Sequence, residues 1–98
     1  MKFKIKYSGT FKKSYKLCKR RGYDMSLLQE AISILAEEGE LPSKYKAHIL
    51  SGRLDGIWEC HLNSNWLLLW IKEDKEMTLL FLDTGTHLYM LNKKYTTF

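Results

Sequence analysis

Lysine alternates with Phe3, Ile5 and Tyr7 over residues 2–7. That period of two predicts a half-buried strand, and its outward lysines suit a sheet edge. Ser8, Gly9 and Thr10 break the alternation, and Ser8 or Thr10 can cap a helix. Phe11, Tyr15 and Cys18 then recur at four and three residues, predicting a helix over about residues 10–21 that Gly22 ends. Asp24 reads as the N-cap of a second helix over residues 25–38. Leu27, Leu28, Ala31, Ile32, Ile34 and Leu35 form its apolar stripe, and Gly39 stops it. The two segments read as a helical hairpin with one apolar side.

The pattern changes after the Pro42 connector. Residues 57–63, 66–72 and 77–82 are rich in Trp, Leu, Ile and Phe, as strands are. The turns between them are Asn63-Ser64-Asn65 and Glu73-Asp74-Lys75-Glu76. Such short links imply antiparallel neighbours. Leu54-Asp55-Gly56 is a further turn, so a short strand is expected around residues 47–50. The expected architecture is α+β in one domain, residues 1–98: an N-terminal strand, a helical hairpin, then an antiparallel β-meander with the helices on one face. The segment 92–98 reads as a last short element or a mobile tail.

Composition is that of an ordinary globular chain, 45% hydrophobic and 28% charged. The apolar run Trp66 to Ile71 is far too short to cross a bilayer, and no signal peptide is read at the N-terminus. Cys18 and Cys60, without a secretion signal, read as free thiols of a cytoplasmic protein. Net charge is +5, and nine of the sixteen basic residues fall within the first 21 positions. The remaining seven face all eleven acids, so the rest of the chain is net −4. Lys12, Lys16 and Lys19 repeat on one stripe, joined by Lys13, Arg20 and Arg21. Such a one-ended positive field suits nucleic acid or an acidic protein, and the bland alternative is a solvated helix face.

All three histidines, His48, His61 and His87, fall within residues 45–87. Histidine alone both accepts and donates a proton near neutral pH without a perturbed pKa. On the strand 57–63, Trp58, Cys60 and Leu62 face one way, toward the expected core. Glu59, His61 and Asn63 face the other, expected to be open. His48 sits after a loop, and His87 lies just past the last strand, behind the turn Thr84-Gly85-Thr86. Spacing fixes no geometry, so three unrelated surface histidines remain the alternative to one site. The histidine spacings of 13 and 26 residues match no zinc motif. Neither a phosphate loop, a dinucleotide fingerprint nor a nucleophile elbow is present, so no metal and no cofactor is expected. Trp70 reads as core, whereas Trp66, just past a turn, is placed to stack on a base.

Tyr-Lys-Ala-His at 45–48, Glu-Cys-His-Leu at 59–62 running on to Trp66-Leu67-Leu68, and Thr-Gly-Thr-His at 84–87 together resemble the YafQ branch of the RelE/ParE toxin superfamily. So does Tyr-Ser-Gly-Thr-Phe-Lys-Lys-Ser-Tyr-Lys at 7–16, and the resemblance runs from Lys4 to Leu91. It implies a RelE-like fold and a metal-independent endoribonuclease toxin that enters the 30S ribosomal A site. There the ribose 2′-hydroxyl attacks the adjacent phosphate and leaves a 2′,3′-cyclic phosphate. It also implies neutralisation by a cognate RelB/DinJ-like antitoxin, with operator DNA bound only through that partner, and no membrane partner. By the same resemblance His48 or His61 is the base, His87 the acid, and Trp66 a substrate contact. Lys12, Lys13, Lys16, Lys19, Arg20 and Arg21 would meet ribosomal RNA.

Two positions depart from the family pattern. Asn65 stands where a carboxylate usually precedes the tryptophan, and Asp83 where an arginine often sits. An aspartate has the wrong sign to stabilise a phosphorane. Arg53, Lys93 or Lys94 would then supply the charge, or Asp83 would orient His87, or activity is reduced. Leu91 stands near the position where related chains end in Phe. The rival readings are a ParE-like gyrase inhibitor, which needs no acid–base set, and a catalytically weakened toxin acting through its antitoxin.

Overall fold

A computed structural model describes residues 2–91; the side chains of Arg53 and Leu91 lie outside that description, as do residues 92–98. The sheet has five strands in the order β1-β5-β4-β3-β2. These are β1 (Lys4–Tyr7), β2 (His48–Ile49), β3 (Trp58–Asn63), β4 (Trp66–Glu73) and β5 (Thr78–Gly85). Strands β2 to β5 form the expected antiparallel succession, whereas β1 lies parallel to β5, with Lys4 opposite Thr78 and Tyr7 opposite Phe81. The chain is thus α+β, as expected, with its first strand at one edge.

Helix α1 (Gly9–Arg20) and helix α2 (Met25–Glu38) form the predicted hairpin. Ser8 is the cap of α1: its hydroxyl accepts from the Phe11 N–H at 2.9 Å and donates to the Leu82 carbonyl at 2.7 Å. One residue therefore starts the helix and fastens it to β5. Asp24 caps α2 through the Ser26 N–H, and Gly39 ends it at φ 77°. Only glycine fits at position 39, because an added Cβ would lie 2.5 Å from the Phe3 ring.

Alternation along β4 divides its side chains between two clusters. Trp66, Leu68 and Trp70 join Phe3, Phe11 and Leu28 under the helices. Leu67 and Leu69 point the other way and pack with Ile57, Leu82 and Met90. This second cluster corrects the expectation of an open face. The segment around Leu50 and Leu54 and a short helix α3 (His87–Leu91) cover much of it. A second correction concerns Asp83, Thr84 and Gly85: the sequence pattern predicts a strand ending at residue 82, with Thr84-Gly85-Thr86 as the turn before His87. These residues continue β5, opposite Leu69, Leu68 and Leu67, past an irregularity between Leu69 and Trp70. Their turn propensity yields to the ladder, which satisfies backbone groups that would otherwise be buried without partners.

Candidate active site

Register brings two of the histidines, His48 and His61, onto one side of the sheet. His48 lies opposite Glu59, Glu59 opposite Leu69, and Leu69 opposite Asp83. The next row runs from His61 to Leu67 to Gly85. Directly opposed residues share a face, so His48, Glu59 and His61 stand on the side away from α1 and α2. Two strand spacings separate His61 from Gly85, about 10 Å between backbones. His87 follows Gly85 by two residues and opens α3, with its side chain exposed.

His48 is exposed on β2, and both ring nitrogens face acceptors. Nδ1 lies 3.0 Å from the Lys46 carbonyl and Nε2 lies 3.4 Å from Glu59 Oε1. Strand alternation placed Glu59 beside His61, but sequence reasoning gave it no role; the signal was its two-residue spacing from His61. His61 is half-buried. Among the described residues no group of three or more His, Cys, Asp or Glu side chains is placed to hold a metal ion.

Other predicted positions fare differently. Asn65 is exposed in the β3–β4 turn, where its N–H donates to Asn63 Oδ1 at 2.9 Å. The turn adjoins the His61 row, so Asn65 stays at the rim of the site. Trp66 requires correction as a stacking platform, because it is 1% exposed. Its indole N–H donates to Thr84 Oγ1 at 2.8 Å, and Tyr23 packs edge-on against it at 5.0 Å. The Trp66–Thr84 bond and the apolar surroundings hold the ring in the core despite its place beside a turn. Asp83, expected to orient His87 or to mark reduced activity, is fully buried, and its Oδ1 accepts from the Thr84 N–H at 2.8 Å. The Arg53 and Leu91 side chains, together with Lys93 and Lys94, lie outside the described residues.

Lys12, Lys13, Lys16, Lys19, Arg20 and Arg21 are all exposed. Lys12, Lys16 and Lys19 border a groove of about 680 Å³ floored by Tyr7, Phe11 and Tyr15. The thiols are not poised for chemistry. Cys18 and Cys60 are free and buried. Burial pushes the Cys60 thiol up to about 12, and the charge of Glu59 adds to the shift. Burial also raises Cys18, with Asp83 adding and Arg21 opposing.

The sequence profile described as "Bacterial toxin of type II toxin-antitoxin system, YafQ" matches residues 3–92. The mRNA interferase toxin YafQ of Escherichia coli K12 is 37% identical over 84 residues, 85% of this chain and 89% of that protein. The crystal structure of the E. coli DinJ–YafQ complex contains a chain of 33% identity that superposes with TM-score 0.83, covering 92% of this chain and 99% of that one. A metal-bound toxin from Helicobacter pylori is 35% identical with TM-score 0.82, covering 90% and 98%. A profile match across nearly the whole chain and the same fold agree: the chain belongs to the YafQ family of type II toxin–antitoxin toxins.

Proposed function

We propose that this protein is an mRNA interferase that cuts translated messages in the ribosomal A site by metal-independent acid–base chemistry. Membership of the YafQ family supports the mRNA interferase activity and sets aside the gyrase-binding alternative. The observation that carries the mechanism is the row from His61 through Leu67 to Gly85, with His87 two residues beyond. That row supports a reading in which the two imidazoles act on opposite sides of one ribose and its phosphate.

In this reading His61 takes the proton of the 2′-hydroxyl. The 2′-oxygen bonds to phosphorus, and the 5′-oxygen leaves with a proton from His87. The products are a 2′,3′-cyclic phosphate and a 5′-hydroxyl. His48 is a poorer base because both its nitrogens already face acceptors; abstraction there would break the Glu59 contact. Its place is to bind and orient beside the phosphate. Each half of such a pair contributes about 10²–10⁴-fold.

The exposed basic residues of α1 meet ribosomal RNA, with an affinity that falls as salt rises. The partner is a small antitoxin of the DinJ kind, since E. coli YafQ crystallises with DinJ. Operator DNA is reached only through that antitoxin, and the compartment is the cytoplasm. Among the described residues no helix is long and apolar enough to cross a membrane.

Primer extension on a message translated in a purified system tests the reading. Wild-type protein should cut at A-site codons only when ribosomes are present, and His87→Ala should not. Undiminished cutting by His87→Ala would overturn the assignment. Uniformly weak cutting by the wild type would favour the weakened-toxin alternative that Asn65 and buried Asp83 suggest.

A further inference from the structure

Helix α3 carries His87 on its first residue, yet five residues are too few for a helix to hold itself. Its orientation must come from tertiary contacts, and those centre on Tyr89. The Tyr89 N–H donates to Thr86 Oγ1 at 3.1 Å, which caps the helix start. The ring lies flat on Gly85: a Cβ added there would stand 2.5 Å from Tyr89 Cδ2. The phenol oxygen is 3.0 Å from the hydroxyl of Ser14, a residue 75 positions away in sequence. Ser14 is 1% exposed within α1, and α1 is itself tied to β5 by the Ser8–Leu82 bond. The next residue, Met90, is buried in the cluster with Leu67 and Leu69.

We infer that Tyr89 is a positioning residue for the reaction: through Gly85 and Ser14 it references His87 to the rigid α1–β5 unit and so sets its distance from His61. The inference rests on the acid role proposed for His87. Position 85 lies in the His61 row, so a tilt of the ring on Gly85 moves the acid relative to the base. Misplacement by about 1 Å is enough to cost about 10²-fold. The Ser14–Tyr89 bond spans the sheet end and fixes the one torsional freedom that the Thr86 cap leaves.

The experiment is single-turnover cleavage of ribosome-bound message by wild type, Tyr89→Phe, Ser14→Ala and His87→Ala, and by Tyr89→Phe combined with each of the other two. Tyr89→Phe keeps the ring and removes only the hydroxyl. It should slow the chemical step about ten- to a hundredfold while half-saturation by ribosomes and the melting midpoint stay near wild type. Ser14→Ala should slow it equally, and the double variant no further. Against His87→Ala, Tyr89→Phe should have no added effect. Normal single-turnover rates for Tyr89→Phe, with His87→Ala dead, overturn this inference alone. Equal additional loss in the His87→Ala background also overturns it, because Tyr89 would then act elsewhere. Full cleavage by His87→Ala overturns the acid role on which both readings stand.

Discussion

On the face that α1 and α2 cover, Trp66, Trp70, Leu79 and Phe81 are at most 2% exposed, in a cluster that also holds Phe3, Phe11 and Tyr45. Trp70 stacks on Trp58 at 6.1 Å, and Phe81 packs with Tyr7 and Phe11. On the opposite face Leu67, Leu69 and Leu82 are equally enclosed. There, however, the cover is a loop and one short helix, and the apolar strip gives way to His48, Glu59 and His61. One face spends its surface on interlocking rings. The other leaves a margin at which imidazoles keep access to solvent. In the proposed mechanism the chemistry therefore sits at the margin of only one side of the sheet, and substitutions at that margin and in the helix-covered core should read out differently.

The largest expected difference lies on the histidine side. His61→Ala should lower cleavage about 10²–10⁴-fold with little change in the urea midpoint. Loss of folding in step with activity would erase the distinction between the faces. On the helix side, Trp70→Ala should destabilise by about 3–5 kcal/mol, seen as a lower midpoint, while molecules still folded cut normally. Trp66→Phe sharpens the comparison. It removes one buried hydrogen bond, worth about 1 kcal/mol net, because Thr84 keeps its bond to the Leu67 carbonyl. Cleavage should be unchanged, whereas a base-stacking ring would show the reverse: intact stability and weakened cutting.

A further effect is alkaline. The Cys60 thiol, ordinarily at 9.0, is raised to about 12 by burial. The folded chain thus keeps a proton that the unfolded chain releases. Stability from this group is complete below pH 9 and declines as pH climbs toward 12. Wild type should lose more stability than Cys60→Ala between those limits, measured by denaturant midpoints. Equal losses would mean that the thiol is not enclosed.

The helices were legible because their signals are local. The spacing of Phe11, Tyr15 and Cys18 and the caps at Asp24 and Gly39 each act within a turn or two of chain. The meander was legible from its short links. What escaped depends on partners far along the sequence. Nothing near Lys4 announces that it will lie parallel to Thr78. Asp83 and Gly85 carry turn propensity, yet a ladder with β4 overrides it. Trp66 looked accessible beside its turn until Thr84 received its N–H. In the site, residue type named the histidines, but only register could set His48 against Glu59. Tyr89 offered no signal at all, since its meaning lies in Ser14 and Gly85.

The parallel seam between β1 and β5 also has a temporal consequence. During synthesis the first strand emerges early and has nothing to pair with until residues 78–85 exist. Until then α1 lacks the Leu82 carbonyl that anchors its cap, and the row containing His61 lacks its far end. An unfinished chain thus lacks both the partner of its first strand and the far end of the His61 row until residues 78–85 have been translated.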